Sequence, residues 1–249
     1  MRLTVLGCAG SFPGPDSACS CYLVDADGFR LLIDFGTGAL SPLQRFAGLY
    51  AIDAIVLTHL HADHIFDACS YVVARRYNPD GVLPPVPLYA PEGARERLST
   101  AYSGPGDDPL DDVYTFHELK VGTFEIGPFS VSAERMNHPV ETYGLRVEYQ
   151  DRTLAYSSDT APCDAIVRLA RGADVFLCEA SYLDDADNPP DLHLTGREAG
   201  EFATKAGVGR LLLTHLVDAW GSEFMTSDAA ASSYTGPIEI VRPGQRFAV

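Results

Sequence analysis

Residues 51–64 read AIDAIVLTHLHADH, an apolar run that ends in the heptad THLHADH, Thr58 to His64. Within the heptad, Leu60 and Ala62 alternate with His59, His61 and Asp63. In a locally extended chain successive side chains point to opposite sides, so these three polar groups project together. A helix that begins at His64 turns its ring back toward the same point. Imidazole and carboxylate at this density suit zinc, and also manganese or iron, better than calcium or magnesium. The alternative is a solvated polar turn, and dense histidine at the end of a buried strand makes a poor one.

Four histidines lie outside the heptad: His117, His138, His193 and His215. His138 in MNHP, His193 in DLHLTG and His215 in LLLTHL follow or end strand-like runs, and Asp159 in YSSDTAP has the same placement. In α/β folds, loops at the carboxyl ends of strands gather into one site. Leu211–Thr214 then His215 repeats the pattern Ile55–Thr58 then His59. His117, in YTFHELK, has no such context and reads as a surface strand residue.

Around these motifs, short β-branched-rich runs alternate with helical stretches. The strands expected are Leu3–Leu6, Cys21–Asp25, Arg30–Asp34, Ala54–Leu57, Val86–Tyr89, Phe129–Met136, Gly144–Tyr149, Thr153–Tyr156, Val175–Glu179, Arg210–Thr214 and Ile238–Arg242. The helices expected are Ser41–Ala47, His64–Arg76, Pro91–Tyr102, Pro162–Arg171, Thr195–Ala206 and Ser227–Tyr234. Pro91 and Pro162 are first-turn signals, and Thr195 with Glu198 is a capping box. Mixed α/β is the class implied. Two acidic stretches, Ser103–Asp112 and Asp184–Asp191, read as flexible loops rather than linkers, because the candidate site is spread across both; residues 1–249 read as one domain.

Composition narrows the function. The chain has 249 residues and a formal net charge of −16. Partners recognised through a phosphate backbone need clustered Lys and Arg, so nucleic acid is disfavoured. A small anionic substrate is not, since bound divalent metals reverse the local field. No segment reaches the apolar length of a membrane span. Val5-Leu6-Gly7-Cys8 resembles a lipoprotein cleavage box but only Met1–Thr4 precede it, so Arg2–Leu6 reads as the first strand of a cytoplasmic protein. The six cysteines lack a dense disulfide spacing and read as free, largely buried thiols. Cys19 and Cys21 would share one side of a strand, where a metal role is an alternative.

His-x-His-x-Asp-His, a lone His, a lone Asp and a final Leu-Thr-His, in this order, resemble the metallo-β-lactamase superfamily. The likeness runs from the first strand through His215. It implies an αββα four-layer sandwich with two divalent metals, zinc first, at one edge. By the resemblance, His59, His61 and His138 would bind one metal, Asp63, His64 and His215 the other, and Asp159 would bridge them. Such metals, about 3.5–4 Å apart, deprotonate a shared water. Asp34, in LLIDFGTG, matches a family aspartate and would orient a ligand histidine; it reads equally well as a turn residue before Gly36.

Within the superfamily, three features are similar to the RNase Z-like branch of phosphodiesterases. His138 leads into a Tyr-Gly-Leu-Arg strand instead of a Gly-His-Thr turn. YSSDT resembles Tyr-Ser-Gly-Asp-Thr with Ser158 in place of glycine, and His193-Leu194-Thr195 resembles a His-x-Thr element. The resemblance implies that His193 contacts the scissile phosphate and acts as an acid. The plainer reading makes His193 a neighbour of the Thr195 helix cap. The interval between Asp159 and His193 leaves no room for the tRNA-gripping arm of the tRNA enzymes, and DHIFDACSY departs from their Gly-Leu-Pro.

What remains looks like the cyclic-nucleotide phosphodiesterases of this branch. Resembling segments are VLGCAGSFPGPDSACSCYLV, RRYNP and FLCEASYLDDADNPPDLHLTGREAG. A hydroxide bridging the metals would attack 3′,5′-cyclic AMP or GMP, with Asp63 orienting it and His193 aiding loss of the 3′-oxygen. Tyr182 and Trp220 could stack on a base or simply pack. Arg75 and Arg76 could reach a phosphate or cover their helix end. Competing readings are an RNA or 2′,3′-cyclic phosphodiesterase, a lactonase and a non-catalytic metal-binding protein. Homodimerisation is a family expectation.

Overall fold

The computed structural model describes residues 1–106, 108–217, 219 and 223–249. The first half of the chain runs β1 (Arg2–Ala9), β2 (Ala18–Cys19), β3 (Cys21–Ala26), β4 (Phe29–Ile33), α1 (Leu40–Phe46), β5 (Ala54–Val56), α2 (Ala62–Ile65), α3 (Asp67–Arg76), β6 (Val86–Ala90), α4 (Ala94–Ser103) and β7 (Tyr114–Glu118). The second half runs β8 (Gly122–Ile126), β9 (Phe129–Arg135), β10 (Tyr143–Tyr149), β11 (Arg152–Tyr156), α5 (Asp164–Ala170), β12 (Val175–Glu179), α6 (Gly196–Ala206), β13 (Leu211–Thr214), α7 (Glu223–Ala231), β14 (Ile238–Ile240) and β15 (Arg246–Ala248).

Two mixed sheets result, ordered β15-β1-β3-β4-β5-β6-β7, with β2 beside β1, and β14-β13-β12-β11-β10-β9-β8. Each carries antiparallel strands that give way to parallel ones. The central strands are apolar throughout because both of their faces are covered. In β4, Leu31 and Ile33 enter the core between the sheets, while Leu32 turns to the helices. In β12, Val175 and Leu177 face the other sheet, and Phe176 and Cys178 face α5 and α6. Tyr22, Val131, Leu145 and Leu212 fill the inter-sheet layer. Tyr71, Val72 and Leu98 cover one outer face, and Ile166, Leu169 and Phe202 the other. That is the αββα layering of the metallo-β-lactamase fold.

Strand register positions the site. Ile33 pairs with Val56, so Asp34 and the Thr58–His64 segment leave neighbouring strand ends. In the second sheet Tyr156 pairs with Leu177, and Glu179 with Thr214. Asp159, Glu179 and His215 therefore emerge at one edge. The sheets are tied there by Tyr143 N–H donating to Thr58 O (3.1 Å) and by Tyr22 Oη bonded to Thr214 Oγ1 (2.6 Å).

Several sequence expectations are corrected. The helix expected over His64–Arg76 starts at Ala62 and divides into α2 and α3 at Phe66. The last helix spans Glu223–Ala231 rather than Ser227–Tyr234. β8 was not anticipated, and β7 was anticipated only through His117 and without bounds, since sheet-edge strands with mixed polar faces lack a buried strand's apolar run. His117 lies on β7, as read. Cys19 and Cys21 fall in separate strands broken at Ser20, and all six cysteines are free. The acidic stretch around Asp108–Asp112 is pinned by Arg76 and Arg95 instead of hanging loose. The Thr195–Glu198 capping box is present. Among the described residues, no helix is long and apolar enough to cross a membrane.

Candidate metal centre

The alternation holds for His59 and His61, whereas Asp63, expected on the extended loop, lies in a helix and joins His64 and His215. His61 is extended (φ −71°, ψ 153°) and the chain then enters α2, which returns Asp63 and His64 toward His59. Of three groups spaced to hold an ion among the described residues, Glu179, His193 and His215 form one, and the two four-residue groups are His59, His61, His138 with Asp159, and Asp63, His64, His215 with Asp159. Asp159 faces both. Its Oδ2 lies 3.6 Å from His59 Nε2 and 4.0 Å from His138 Nε2. Its Oδ1 lies 3.2 Å from His64 Nε2 and 3.4 Å from His215 Nε2. His138 Nε2 is 3.1 Å from His61 Nδ1, and His215 Nε2 is 3.2 Å from Asp63 Oδ2. Donors around one tetrahedral zinc, at bond lengths near 2.0–2.1 Å, lie about 3.3 Å apart. The spacing fits a metal in each four-residue group.

The outward ring nitrogens explain why the inward ones are free. His64 Nδ1 donates to Asp34 Oδ2 (2.8 Å), and His138 Nδ1 to Leu192 O (2.9 Å). Ser181 Oγ donates to His215 O (2.6 Å), so its lone pair accepts from His215 Nδ1 (2.8 Å). His59 Nδ1 meets Thr58 Oγ1 at 3.2 Å, and Thr58 Oγ1 donates on to Asp34. Such bonds settle the tautomer, leaving Nε2 lone pairs aimed inward. His59 Nε2 and Asp159 Oδ1 are buried with no hydrogen-bond partner among the described residues, which a metal would supply.

Electrostatics favour the same occupant. Burial, and then the nearby His64 charge, hold His59 well below its ordinary value. Burial likewise lowers His61 and His138. Burial would raise Asp159, but His215, His64 and His59 pull it well below the carboxylate range. Asp63 follows, lowered by His64 and His215 against its burial. His64 is raised despite burial, because Asp159, Asp34 and Asp63 surround it. Three buried carboxylates at one point are costly unless cations neutralise them.

Asp34 satisfies both sequence readings at once. It holds a left-handed backbone (φ 57°) and accepts from Thr58 N (2.8 Å), His64 Nδ1 and Tyr156 Oη (3.0 Å). Ser11, Ser158 and His215 share that positive-φ region, a conformation that costs non-glycine residues about 1–3 kcal/mol each. Half of the positive-φ non-glycine residues among those described thus lie at the cluster, and the others, Asp27, Leu110, Gln150 and Asp191, lie elsewhere.

His193 lies outside both four-residue groups but beside them, its ring centroid 5.6 Å from that of His138 and 5.4 Å from that of His215. Its Nδ1 donates to Glu179 Oε1 at 2.9 Å. Burial opposes its charge, yet the Glu179 carboxylate, with Asp159 and Asp63, holds it up at about 9. Glu179 also accepts from Thr160 N (2.7 Å). A cavity of about 350 Å³ opens here, lined by His193, Tyr182, Leu183, Pro189, Leu192 and Ser11. Tyr182 is edge-on to His193, with its hydroxyl unpartnered among the described residues.

The beta-lactamase superfamily domain model matches residues 29–216. The chain belongs to the metallo-β-lactamase superfamily. Its relatives place it in the RNase Z-like branch. Ribonuclease Z of Mycobacterium bovis is 30% identical over 266 residues, covering 96% of this chain and 95% of that one. The uncharacterized Mycobacterium tuberculosis protein Rv1339 is 42% identical over 254 residues, covering 100% and 92%. The crystal structure of Bacillus subtilis YhfI superposes with a TM-score of 0.88 at 28% identity, covering 99% of each chain. This superfamily hydrolase thus carries His and Asp clusters suited to divalent metal ions.

Not every candidate reaches the cluster. Arg75 is buried and donates to Pro84 O and Tyr71 Oη, and Arg76 pairs with Asp108 and Asp112. Arg75 lies eight residues beyond the start of α3, about 12 Å along the axis. The structure gives both arginines partners of their own and does not bring them to the site. Trp220 lies outside the described residues. Glu179, Ser181 and Ser11, whose N–H donates to Asp63 Oδ2 (2.9 Å), were missed. Only Glu179 carried a signal, a carboxylate ending the apolar strand VFLCE.

Proposed function

We propose that this hydrolase is a dinuclear-metal phosphodiesterase that converts 3′,5′-cyclic nucleotides, cyclic AMP or GMP, to 5′-nucleotides. The observation that carries the reading is His193, a non-ligand imidazole held by Glu179 between the metal-binding cluster and an apolar cavity of nucleobase size. His59, His61 and His138 would hold one ion, Asp63, His64 and His215 the other, and Asp159 would contact both. Zinc is the expected ion, with manganese or iron able to replace it. Two such ions supply an acidified water and polarise phosphoryl oxygens.

The remaining work falls to the side chains. Glu179 keeps a proton on His193 Nδ1 and the ring charged. Nε2–H can then donate to phosphoryl charge as it develops and to the departing 3′-oxygen. Asp63, oriented by the Ser11 N–H, steers the attacking water. Tyr182, Leu183 and Pro189 offer the base an apolar seat.

A small substrate is favoured over RNA by the charge of −16 and by the interval from Asp159 to His193, which holds only α5, β12 and an acidic loop. Processing of RNA 3′ ends is the second reading, supported by the 30% identity to ribonuclease Z. Metal-loaded protein should be offered 3′,5′-cyclic AMP, 2′,3′-cyclic AMP and a tRNA precursor in parallel, with products separated by chromatography. Linear 5′-AMP from the first alone supports the proposal. Trimmed tRNA with untouched cyclic nucleotides would overturn it.

A further inference from the structure

One groove near the cluster has no part in the proposed chemistry. Leu60, between His59 and His61, and Phe66, at the joint of α2 and α3, face Arg97 and Thr100 of α4 across a space of about 400 Å³. Most arginines in this acidic chain are engaged, as Arg76 is with Asp108 and Arg95 with Asp111. The Arg97 guanidinium is exposed and makes no hydrogen bond or ion pair among the described residues.

We propose that Arg97 is the substrate's cationic contact outside the metal cluster, pairing with the phosphodiester anion as it enters past His61. The inference rests on the phosphodiesterase reading of the site. A net charge of −16 repels anions at long range, so a local cation at the entrance has a large effect on encounter. The apolar walls of Leu60 and Phe66 concentrate its field. Glu96 lines the same groove and opposes it, which gives the test a control of opposite sign.

Metal-loaded wild type, Arg97→Gln, Arg97→Lys and Glu96→Gln should be compared on 3′,5′-cyclic AMP and on bis(4-nitrophenyl) phosphate, with calorimetric binding of inorganic phosphate as a readout independent of turnover. Arg97→Gln should raise KM about fivefold at low salt, as expected for an exposed ion pair, with kcat and metal content unchanged. Arg97→Lys should recover most of the loss, and Glu96→Gln should lower KM. The differences should fade near 1 M salt, where screening acts within about 3 Å. Wild-type KM and phosphate affinity in Arg97→Gln, or an effect indifferent to salt, would overturn the assignment. Turnover of the aryl diester without that of cyclic AMP would instead remove the nucleotide reading and leave Arg97 tested. With neither turned over, phosphate affinity decides.

Discussion

Replacing Asp34 by asparagine isolates the link between a buried hydrogen bond and metal affinity. Asp34 Oδ1 accepts from Thr58 N and Oγ1, and Oδ2 accepts from His64 Nδ1 and Tyr156 Oη. An asparagine must keep its carbonyl toward Thr58, because a backbone N–H cannot become an acceptor. Its NH2 group then faces His64 Nδ1. Two donors cannot share that bond, so the ring takes the other tautomer and its proton moves to Nε2, the nitrogen that faces Asp63, Asp159 and His215. A protonated Nε2 cannot ligate. Loss of such an orienting bond costs about 10–100-fold in metal affinity, or about 1.4–2.7 kcal/mol. The fold should survive, since Thr58 keeps its acceptor and the Tyr156 hydroxyl can rotate. Competition with a chromophoric chelator measures the affinity, and circular dichroism checks the fold. A folded Asp34→Asn protein with wild-type affinity for both ions would refute the reasoning.

Three further outcomes are expected. His193→Ala should retain its metals while kcat falls about 10²–10⁴-fold, the range for loss of a general acid; metal analysis beside steady-state kinetics checks it, and unchanged turnover removes the catalytic role. In Glu179→Gln the carboxylate that raises His193 to about 9 is gone. The imidazolium then loses its proton at lower pH, so the basic limb of the kcat profile should move to lower pH; an unmoved limb would show that Glu179 does not set that pKa. Gly36→Ala places a Cβ 1.9 Å from Asp63 O and 2.8 Å from Cys19 Cβ. The turn carrying Asp63 and His64 must shift, and both metal affinity and urea stability should fall, the latter by about 1–3 kcal/mol; wild-type values for both would contradict this.

The cluster was legible in the sequence where chemistry is dense. THLHADH fits few structures other than a metal loop, and the strand-end positions of His138, Asp159 and His215 follow from β-branched runs and their punctuation. The layering was legible through strands such as Val175–Glu179, apolar on both faces. Single residues whose role depends on a distant partner were not. Glu179 is one carboxylate among many until the fold sets it 2.9 Å from His193, fourteen positions on. Arg75 and Arg76 looked available for phosphate because nothing local shows that Pro84, Asp108 and Asp112 engage them. Arg97 drew no notice among the alternating charges of ARERL, residues 94–98, yet the fold leaves its charge open in the groove it shares with Leu60. Edge strand β8, and the bounds of β7, escaped notice for the same reason, since their pairing is set by neighbours and not by their own pattern.

The proposed chemistry requires two metal ions held by one set of side chains, with Asp159 shared. Metal-free protein titrated with zinc, following bound metal and turnover together, tests that most directly. Saturation is expected at about two equivalents per chain, with full activity only at the second, and Asp159→Ala should lose tight binding of both. Saturation and full activity at a single equivalent, or two ions still tightly bound without Asp159, would contradict it.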